Sequence, residues 1–287
     1  MCRFVLYLGP PLTLGSLFVE PSHSLIKQSI HALERDEPLN GDGFGVAWYA
    51  PDISPEPASF RSITPAWNNR NLLQIARVTR SPAIMAHVRA ATQGLSVAET
   101  NCHPYTHARF AFMHNGDLGE FTRIRREMLA LLSQRAFSAI QGSTDSEHIF
   151  GLVLDRLLAN SGETVEQLAE ALIDGVDHAV ALSRSVGPDV HSYLNIALTN
   201  GACAVACRYT TDKPEHADSL YIHTGRKYVC RDGVCEMIAP EAGQGAVIVS
   251  SEPLSEDPGW QKMPVNHLVL IKPDRTTELR AWPTAAA

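Results

Sequence analysis

A cysteine directly follows the initiator methionine, so removal of Met1 would leave Cys2 with both a thiol and a free α-amine. A thiol has a pKa of about 8.5 and an α-amine one of about 7.7–8.0. Near pH 7 the amine can therefore accept the thiol proton and later deliver it to a leaving nitrogen. A small apolar cysteine that opens a buried strand would have the same sequence, so this residue alone leaves both interpretations open.

An arginine follows the largely apolar run 83–88, which is typical of a buried strand. Arg89 would thus lie at a strand end, with Thr92 shortly after it. A guanidinium can hold a carboxylate in a bidentate fork, so Arg89 is a candidate ligand for an anionic substrate group. The alternative is a surface arginine that pairs with an ordinary acidic neighbour.

Asn115 and Gly116 terminate a second predicted strand, which covers 109–113. A side-chain amide beside a backbone N–H supplies the two donors that stabilise an oxyanion in acyl transfer. Asn-Gly is also a common turn dipeptide. The segment after it has helical periodicity, with apolar residues from Phe121 to Leu132, so no partner strand completes a hairpin. This favours the oxyanion interpretation.

Asp145 lies in the first turn of a predicted helix, because Thr144 and Glu147 have the spacing of a capping box. A carboxylate in this place could bind the ammonium group of a ligand. Alternatively it only interacts with the helix dipole, which is worth about 0.3–1 kcal/mol.

Three glycines, Gly41, Gly43 and Gly45, precede a short strand predicted over 46–49. A phosphate-binding loop would instead follow a strand and open a helix, so the nucleotide interpretation fails. The spacing indicates backbone brought close to another backbone or to a ligand, or simply a tight turn.

The helices and strands predicted along the chain must position these residues. Helices are predicted over 22–36, 71–80, 121–132, 144–157 and 163–184, and a proline-rich surface loop over 52–57. Later strands are predicted over 193–199, 202–209, 219–223, 226–231, 234–238, 246–250 and 267–272. Strands, then helices, then strands favour a layered α+β sandwich.

The 287 residues, 45% of them hydrophobic, suffice for one large core, and no composition shift marks a linker. A net charge of −7 and the lack of a basic cluster longer than Arg123–Arg126 argue against binding to nucleic acid or to an anionic membrane. Apolar runs stop before 18 residues, and the start lacks a signal peptide's apolar region. We therefore expect a cytoplasmic protein.

The six cysteines form no disulfide framework, in keeping with a reducing compartment. Cys203 and Cys207 lie in a predicted strand, where core packing is favoured over a shared zinc ion. Cys230 and Cys235 flank a likely hairpin turn, so a disulfide or a metal site remains open there.

Several motifs occur in an order that resembles the class II glutamine amidotransferases, which are N-terminal-nucleophile hydrolases. They are Met1–Phe4, Asn40–Gly45, His87–Gly94, Asn101–Pro104, Phe112–Gly116 and Gly142–Glu147. Ser250–Leu254 and Trp260 resemble the subgroup that acts in fungal glutathione degradation and bacterial ergothioneine synthesis. The resemblance implies a four-layer αββα sandwich, with one domain over residues 2–283.

The same resemblance implies roles for individual residues. Cys2 would be the nucleophile, Asn115 and Gly116 the oxyanion hole, and Gly41 a loop glycine beside the nucleophile. Arg89, helped by Thr92, would bind the substrate α-carboxylate and Asp145 its α-amino group. His103 matches a histidine near the family's site, although a structural turn histidine fits equally.

The implied reaction is hydrolysis of a γ-glutamyl amide or peptide to release glutamate, with no metal or organic cofactor. Ala90 stands where synthase-linked members carry a tryptophan, which would widen the acceptor side of the pocket. A peptidase-like or synthase partner protein is expected. The alternatives are a glutaminase subunit that supplies ammonia to a separate synthase, and a non-catalytic binding subunit.

Overall fold

The computed structural model describes residues 2–34, 39–91, 97–231, 233–238 and 245–283. Its helices are α1 (Gly15–Phe18), α2 (Leu25–Ile30), α3 (Arg70–Val78), α4 (Phe121–Leu131), α5 (Gln134–Ala139), α6 (Asp145–Asn160) and α7 (Val165–Ser185). Its strands are β1 (Arg3–Thr13), β2 (Phe44–Ala50), β3 (Ser54–Ser62), β4 (Arg80–Val88), β5 (Tyr105–His107), β6 (Phe110–Asp117), β7 (Tyr193–Thr199), β8 (Ala204–Thr210), β9 (Tyr221–Gly225), β10 (Lys227–Arg231), β11 (Val234–Ile238), β12 (Ala246–Ser250), β13 (Gln261–Lys262), β14 (His267–Ile271) and β15 (Thr277–Ala281).

The strands form two large antiparallel sheets. The first has the order β13-β9-β12-β1-β4-β2-β3, and the second has the order β15-β14-β8-β7-β6-β5. β1 is therefore central, with β12 and β4 on its two sides. A separate hairpin pairs β10 with β11.

Alternation along β1 divides its side chains between two apolar layers. Phe4, Leu6 and Leu8 pack between the two sheets, whereas Val5 and Tyr7 face the outer layer that contains α1, α2 and α3. On the second sheet, α4, α6 and α7 cover the face opposite the inter-sheet layer. The order of layers is thus αββα, and the predicted α+β sandwich is confirmed.

The first predicted helix is shorter than its periodicity indicates. Ser24 caps α2 by accepting a hydrogen bond from the backbone N–H of Lys27, and the helix ends at Ile30 rather than continuing through Leu33. The backbone N–H groups of Leu33 and Glu34 instead donate to the Glu252 carboxylate. A distant side chain has replaced the hydrogen bonds that would have prolonged the helix.

The loop predicted over 52–57 is wrong, because β3 begins at Ser54 and includes Pro55 and Pro57. Proline lacks the N–H that a central strand must donate. β3 lies at the edge of the first sheet and, among the strands that the structure describes, pairs only with β2, so the prolines are tolerated there.

Of the two alternatives left open for the hairpin cysteines, the disulfide is the one found. Cys230 and Cys235 lie opposite each other in the β10–β11 register, and their sulfur atoms are bonded. Cys203 and Cys207 are buried in the helix-facing core of the second sheet, as predicted. Among the described residues, no helix has the length and apolar composition needed to cross a membrane.

Candidate active site

The ends of three strands bring polar side chains to one end of the inter-sheet layer. Cys2 precedes Phe4 by two residues, so the alternation of β1 directs it toward the second sheet. The same argument applies to Arg89, which follows the inward-facing Met85 by four residues at the end of β4, and to Asn115, which follows Met113 by two residues in β6. The sandwich therefore gathers three residues that are far apart in the sequence.

The Cys2 thiol lies against the backbone of Ala90. Its Sγ is 3.4 Å from the Ala90 nitrogen and 3.5 Å from the Ala90 carbonyl oxygen. Burial raises the pKa of the thiol, and the Ala90 backbone and the charges of Arg89 and Arg3 oppose that rise only in part. The thiol is thus protonated near neutral pH and needs a base before it can attack a carbonyl.

The glycine loop packs beside the end of β4. The Asp42 N–H donates to the Arg89 carbonyl at 3.0 Å, the Arg89 N–H donates to the Gly43 carbonyl at 2.8 Å, and the Ala91 N–H donates to the Asp42 carboxylate at 2.8 Å. A Cβ atom on Gly41 would lie 3.1 Å from the Cη2 atom of Trp67. Gly41 therefore directly precedes Asp42, which is bonded to the residues on both sides of Ala90, the residue that contacts the nucleophile.

Gly43 explains why this loop is rich in glycine. Its φ is +118°, and a Cβ atom would lie 2.7 Å from both the Cys102 Sγ and the Ser62 carbonyl oxygen. At Gly45 a Cβ atom would lie 2.1 Å from the His103 carbonyl oxygen. Close backbone packing, one of the explanations left open by the sequence, accounts for both positions.

Asn115 and Gly116 are part of β6 rather than residues that end it. They pair with Asn195 and Leu194 of β7, and β6 ends at Asp117, so the prediction that the strand covers 109–113 and is terminated by Asn115 and Gly116 is wrong by four residues at its end. Gly116 has a φ of +146°, and a Cβ atom there would lie 1.7 Å from the Tyr193 carbonyl oxygen. Only glycine fits this close approach.

The Asn115 amide is buried and has no hydrogen-bond partner among the described residues, at either its oxygen or its nitrogen. Leaving such a group unpaired costs about 1–3 kcal/mol. Natural proteins rarely retain this cost without a use for the free donor or acceptor. The amide therefore has the property that an oxyanion-hole donor requires.

Asp145 is the first residue of α6 and is buried. Its carboxylate accepts hydrogen bonds from the Leu118 N–H at 2.9 Å and from the Ser146 N–H at 2.8 Å. The first bond ties α6 to the end of β6, immediately after Asn115 and Gly116. The predicted cap is present, because Thr144 accepts from the Glu147 N–H, but the Glu147 carboxylate bonds the N–H groups of residues 141 and 142 instead of closing a capping box.

His103 packs in the interior, with its ring 4.2 Å from the His87 ring and 4.6 Å from the Tyr105 ring. Burial and the neighbouring histidines His87 and His114 hold the pKa of His103 well below its usual value. Burial likewise lowers the pKa of His87 to about 3. Imidazoles with such low pKa values are poor bases at neutral pH, and a substrate-binding role for His103 stays a prediction. Thr92 lies outside the described residues.

The sequence of this chain matches a known family over most of its length. A family model described as "Glutamine amidotransferases class-II" matches residues 28–286. The chain belongs to the class II glutamine amidotransferases.

Individual amidotransferase relatives cover nearly the whole chain. The "Probable glutamine amidotransferase DUG3" of Saccharomyces cerevisiae is 39% identical over 95% of this chain and 82% of its own length. The "Gamma-glutamyl-hercynylcysteine sulfoxide hydrolase" of Mycolicibacterium smegmatis is 26% identical over 95% of this chain and 96% of its own length. A class II domain structure from Silicibacter pomeroyi superposes with a TM-score of 0.68 at 26% identity, covering 99% of this chain and 100% of that one.

The structure also contains a buried ion pair that we did not predict from the sequence. The Arg3 Nε donates to the Glu252 carboxylate at 2.8 Å, and both side chains are almost completely buried. His23 contacts the same carboxylate at 2.8 Å. Glu252 was visible only as part of the Ser250–Leu254 motif, and nothing local to that motif indicates a partner at Arg3.

We expect this ion pair to make the stability of the protein depend on pH in the acid range. Burial by itself would raise the pKa of Glu252, but the His23 hydrogen bond, the N–H groups of Leu33 and Glu34 and the Arg3 charge together lower it to about 2. A carboxylate with a lower pKa in the folded state stabilises the fold above its unfolded pKa of about 4.5. We expect a loss on the order of 3 kcal/mol as the pH falls from about 4.5 toward 2.

Urea unfolding of the wild type and of Glu252→Gln between pH 6 and 2.5 measures this contribution. The variant should be less stable at pH 6, and its stability should depend less steeply on pH below about 4.5. Equal pH dependence in the two proteins would contradict the assignment to Glu252.

Proposed function

We propose that this amidotransferase-family protein hydrolyses γ-glutamyl amide bonds in small peptides and releases glutamate, with Cys2 as the nucleophile once Met1 is removed. The observation that carries the proposal is that the Cys2 thiol contacts the backbone of the residue after Arg89. Strand alternation directs Asn115 into the same inter-sheet layer, and Asp145 accepts a hydrogen bond from the residue that follows β6. These residues offer a thiol, a cation, an amide donor and an anion. A γ-glutamyl group presents the complementary carbonyl, α-carboxylate and α-ammonium.

In the first half of the reaction, the α-amine of Cys2 takes the Sγ proton and Sγ attacks the γ-carbonyl carbon. The oxyanion of the tetrahedral intermediate accepts hydrogen bonds from the Asn115 amide and the Gly116 N–H. The intermediate then collapses to a γ-glutamyl thioester. The protonated α-amine returns its proton to the leaving nitrogen.

In the second half, the α-amine deprotonates a water molecule that attacks the thioester carbonyl. Collapse of the second tetrahedral intermediate breaks the C–S bond, and the proton returns to Sγ as glutamate leaves. The low pKa values of His87 and His103 support the α-amine as the base, because neither imidazole would hold a proton effectively near pH 7. The high pKa of the buried thiol makes such a base necessary.

The leaving group is where we expect this chain to differ from glutamine-specific enzymes. The small side chain of Ala90 belongs to the residue whose backbone contacts the nucleophile, so no bulky group at that position restricts the acceptor side. The mycobacterial relative is named for a γ-glutamyl compound of a cysteine derivative. We therefore propose γ-glutamyl-cysteine compounds, such as glutathione, as the substrate class.

Glutamate release from glutathione, glutamine and simple γ-glutamyl amides tests the proposal, with the chain assayed alone and with any protein that co-purifies with it. The γ-glutamyl-cysteine compound should give the highest kcat/KM. An isomer with the glutamyl residue linked through its α-carboxyl should not be cleaved.

The second candidate is a glutaminase subunit that supplies ammonia to a separate synthase, and it is supported by the name of the yeast relative, a probable glutamine amidotransferase. That candidate is favoured if glutamine is hydrolysed at least about tenfold more efficiently than every γ-glutamyl peptide and the ammonia reaches an acceptor. Failure of all substrates, with and without the co-purifying protein, would leave the binding-subunit alternative. The peptidase-like or synthase partner, the cytoplasmic location and the single domain over 2–283 stay predictions.

A further inference from the structure

The Glu252 carboxylate is the centre of a buried hydrogen-bond cluster behind β1. It is fully buried and accepts from the Arg3 Nε, the Leu33 N–H and the Glu34 N–H, while His23 contacts the same carboxylate. Four donors around one buried carboxylate satisfy the anion without solvent. The carboxylate is therefore fixed in position and remains charged at neutral pH.

Arg3 connects this carboxylate to the nucleophile. Its Nε donates to Glu252, and its Nη1 donates to the Cys2 carbonyl oxygen at 2.9 Å. Alternation in β1 directs the Arg3 side chain to the helix-facing side and the Cys2 side chain to the inter-sheet side. One guanidinium thus holds the Cys2 peptide from the face opposite its thiol.

The residue before Glu252 holds the next peptide of β1. The Phe4 N–H donates to the Ser251 hydroxyl at 3.0 Å, and the Ser251 N–H donates to the Phe4 carbonyl at 3.0 Å. The segment Ser250–Glu252 therefore lies along the start of β1 and contacts it at residues 3 and 4. The paired registers of β1 with its neighbours begin at Arg3 and Val5, so Cys2 lies beyond them.

We propose that Glu252 is a positioning residue that acts through Arg3 to fix the backbone of Cys2, and with it the direction of the Sγ atom and the α-amine. This inference rests on the proposed role of Cys2 as nucleophile. A displacement of about 1 Å at a reacting atom can reduce the rate about 10²-fold. Arg89 and Asp145, which are proposed to bind the glutamyl group, are not members of this hydrogen-bond cluster. We therefore expect the effect to fall on kcat rather than on KM.

Two variants separate positioning from folding. Glu252→Gln removes the charge opposite a buried arginine, so we expect it to lower the stability of the fold as well as kcat. Arg3→Lys keeps a cation for Glu252 but lacks the planar fork that reaches both the carboxylate and the Cys2 carbonyl. Arg3→Lys should therefore lower kcat about 10- to 100-fold and leave KM within about threefold of the wild type.

Asp257→Asn is the matched control. Asp257 follows Glu252 by five residues, contacts a histidine (His223 Nε2, 3.1 Å) and accepts N–H donors from Met237 and Gly259. These partners lie on β9, β11 and its own segment, so none of them is part of β1. The control should lose stability while kcat stays within about twofold of the wild type.

The kinetic test is completed by the double variant Arg3→Lys, Glu252→Gln. Because both changes break the same connection, the loss of kcat in the double variant should be no larger than the loss in the less active of the two single variants. Amide hydrogen exchange of the N-terminal peptide adds a readout that needs no substrate. Exchange there should be at least about tenfold faster in Arg3→Lys than in the wild type and unchanged in Asp257→Asn.

The proposal is overturned if Arg3→Lys and Glu252→Gln both keep kcat within about twofold, or if Asp257→Asn loses as much kcat as they do. A wild-type protein that cleaves no γ-glutamyl compound would refute the proposed function instead. Hydrogen exchange would then still decide whether Glu252 and Arg3 hold the Cys2 backbone. Exchange of the N-terminal peptide at the wild-type rate in both Arg3→Lys and Glu252→Gln would refute that role.

Discussion

Replacing Cys2 by alanine is expected to abolish glutamate release, lowering kcat by at least about 10⁴-fold, while the melting temperature stays close to that of the wild type. The thiol is the only group in the proposed mechanism that forms a bond to the substrate. Its contacts to the Ala90 backbone at 3.4–3.5 Å contribute little to the fold.

Cys102→Ala is the control for loss of a second thiol close to the site. Burial raises the pKa of Cys102 to about 11, and its Sγ contacts the Ser62 carbonyl. Unlike Cys2, this internal residue has no α-amine of its own that could take the thiol proton, so the proposed mechanism gives it no role. We expect this variant to keep activity within about threefold of the wild type. Full activity in Cys2→Ala, or loss of activity only in Cys102→Ala, would contradict the assignment.

The same mechanism requires a free α-amine on Cys2. A protein carrying an N-terminal extension should be inactive although every side chain is present, and cleavage by a protease that leaves Cys2 at the terminus should restore activity. Mass spectrometry of the native protein should show loss of Met1. An extended protein with full activity would exclude the α-amine as the base.

Asp145→Asn is expected to lower kcat/KM for a γ-glutamyl substrate about 10²- to 10³-fold. Removing one partner of a desolvated charge pair costs about 3–5 kcal/mol, because the substrate ammonium is left without its anion. The structure adds a consequence for stability. Asp145 also accepts the Leu118 and Ser146 N–H groups, and an asparagine can accept only through one oxygen, so we expect the melting temperature to fall as well.

A substrate analogue that lacks the α-amino group separates binding of the ammonium from support of the backbone. The wild type should strongly prefer the compound with the amino group, whereas Asp145→Asn should have lost most of this preference. Glu147→Gln is the control, because Glu147 lies in the same turn and its carboxylate, among the described residues, accepts hydrogen bonds only from the N–H groups of residues 141 and 142. Equal losses of kcat/KM for both compounds in Asp145→Asn would show that Asp145 acts only through the backbone.

The candidate site residues and the α+β class could be predicted from the sequence because they depend on local pattern, whereas the αββα layer order was implied by the family resemblance. Helix α7 begins at the Thr164–Gln167 capping box and follows its apolar period. The strands predicted over 193–199 and 202–209 correspond to β7 and β8, which pair with each other. Cys2, Arg89, Asn115 and Asp145 were each named from residue type and position in an element, and these properties do not depend on distant parts of the chain.

The tertiary structure decided whatever depends on a partner far away in the sequence. α2 ends at Ile30 because the N–H groups of Leu33 and Glu34 find a carboxylate 219 and 218 residues away, and no local period contains that information. β3 accepts two prolines because it is an edge strand, which only the strand order shows. Glu252 has no signal of its own in the sequence. Its place behind Cys2 follows from the packing of β12 beside β1, which also brings its buried charge to Arg3.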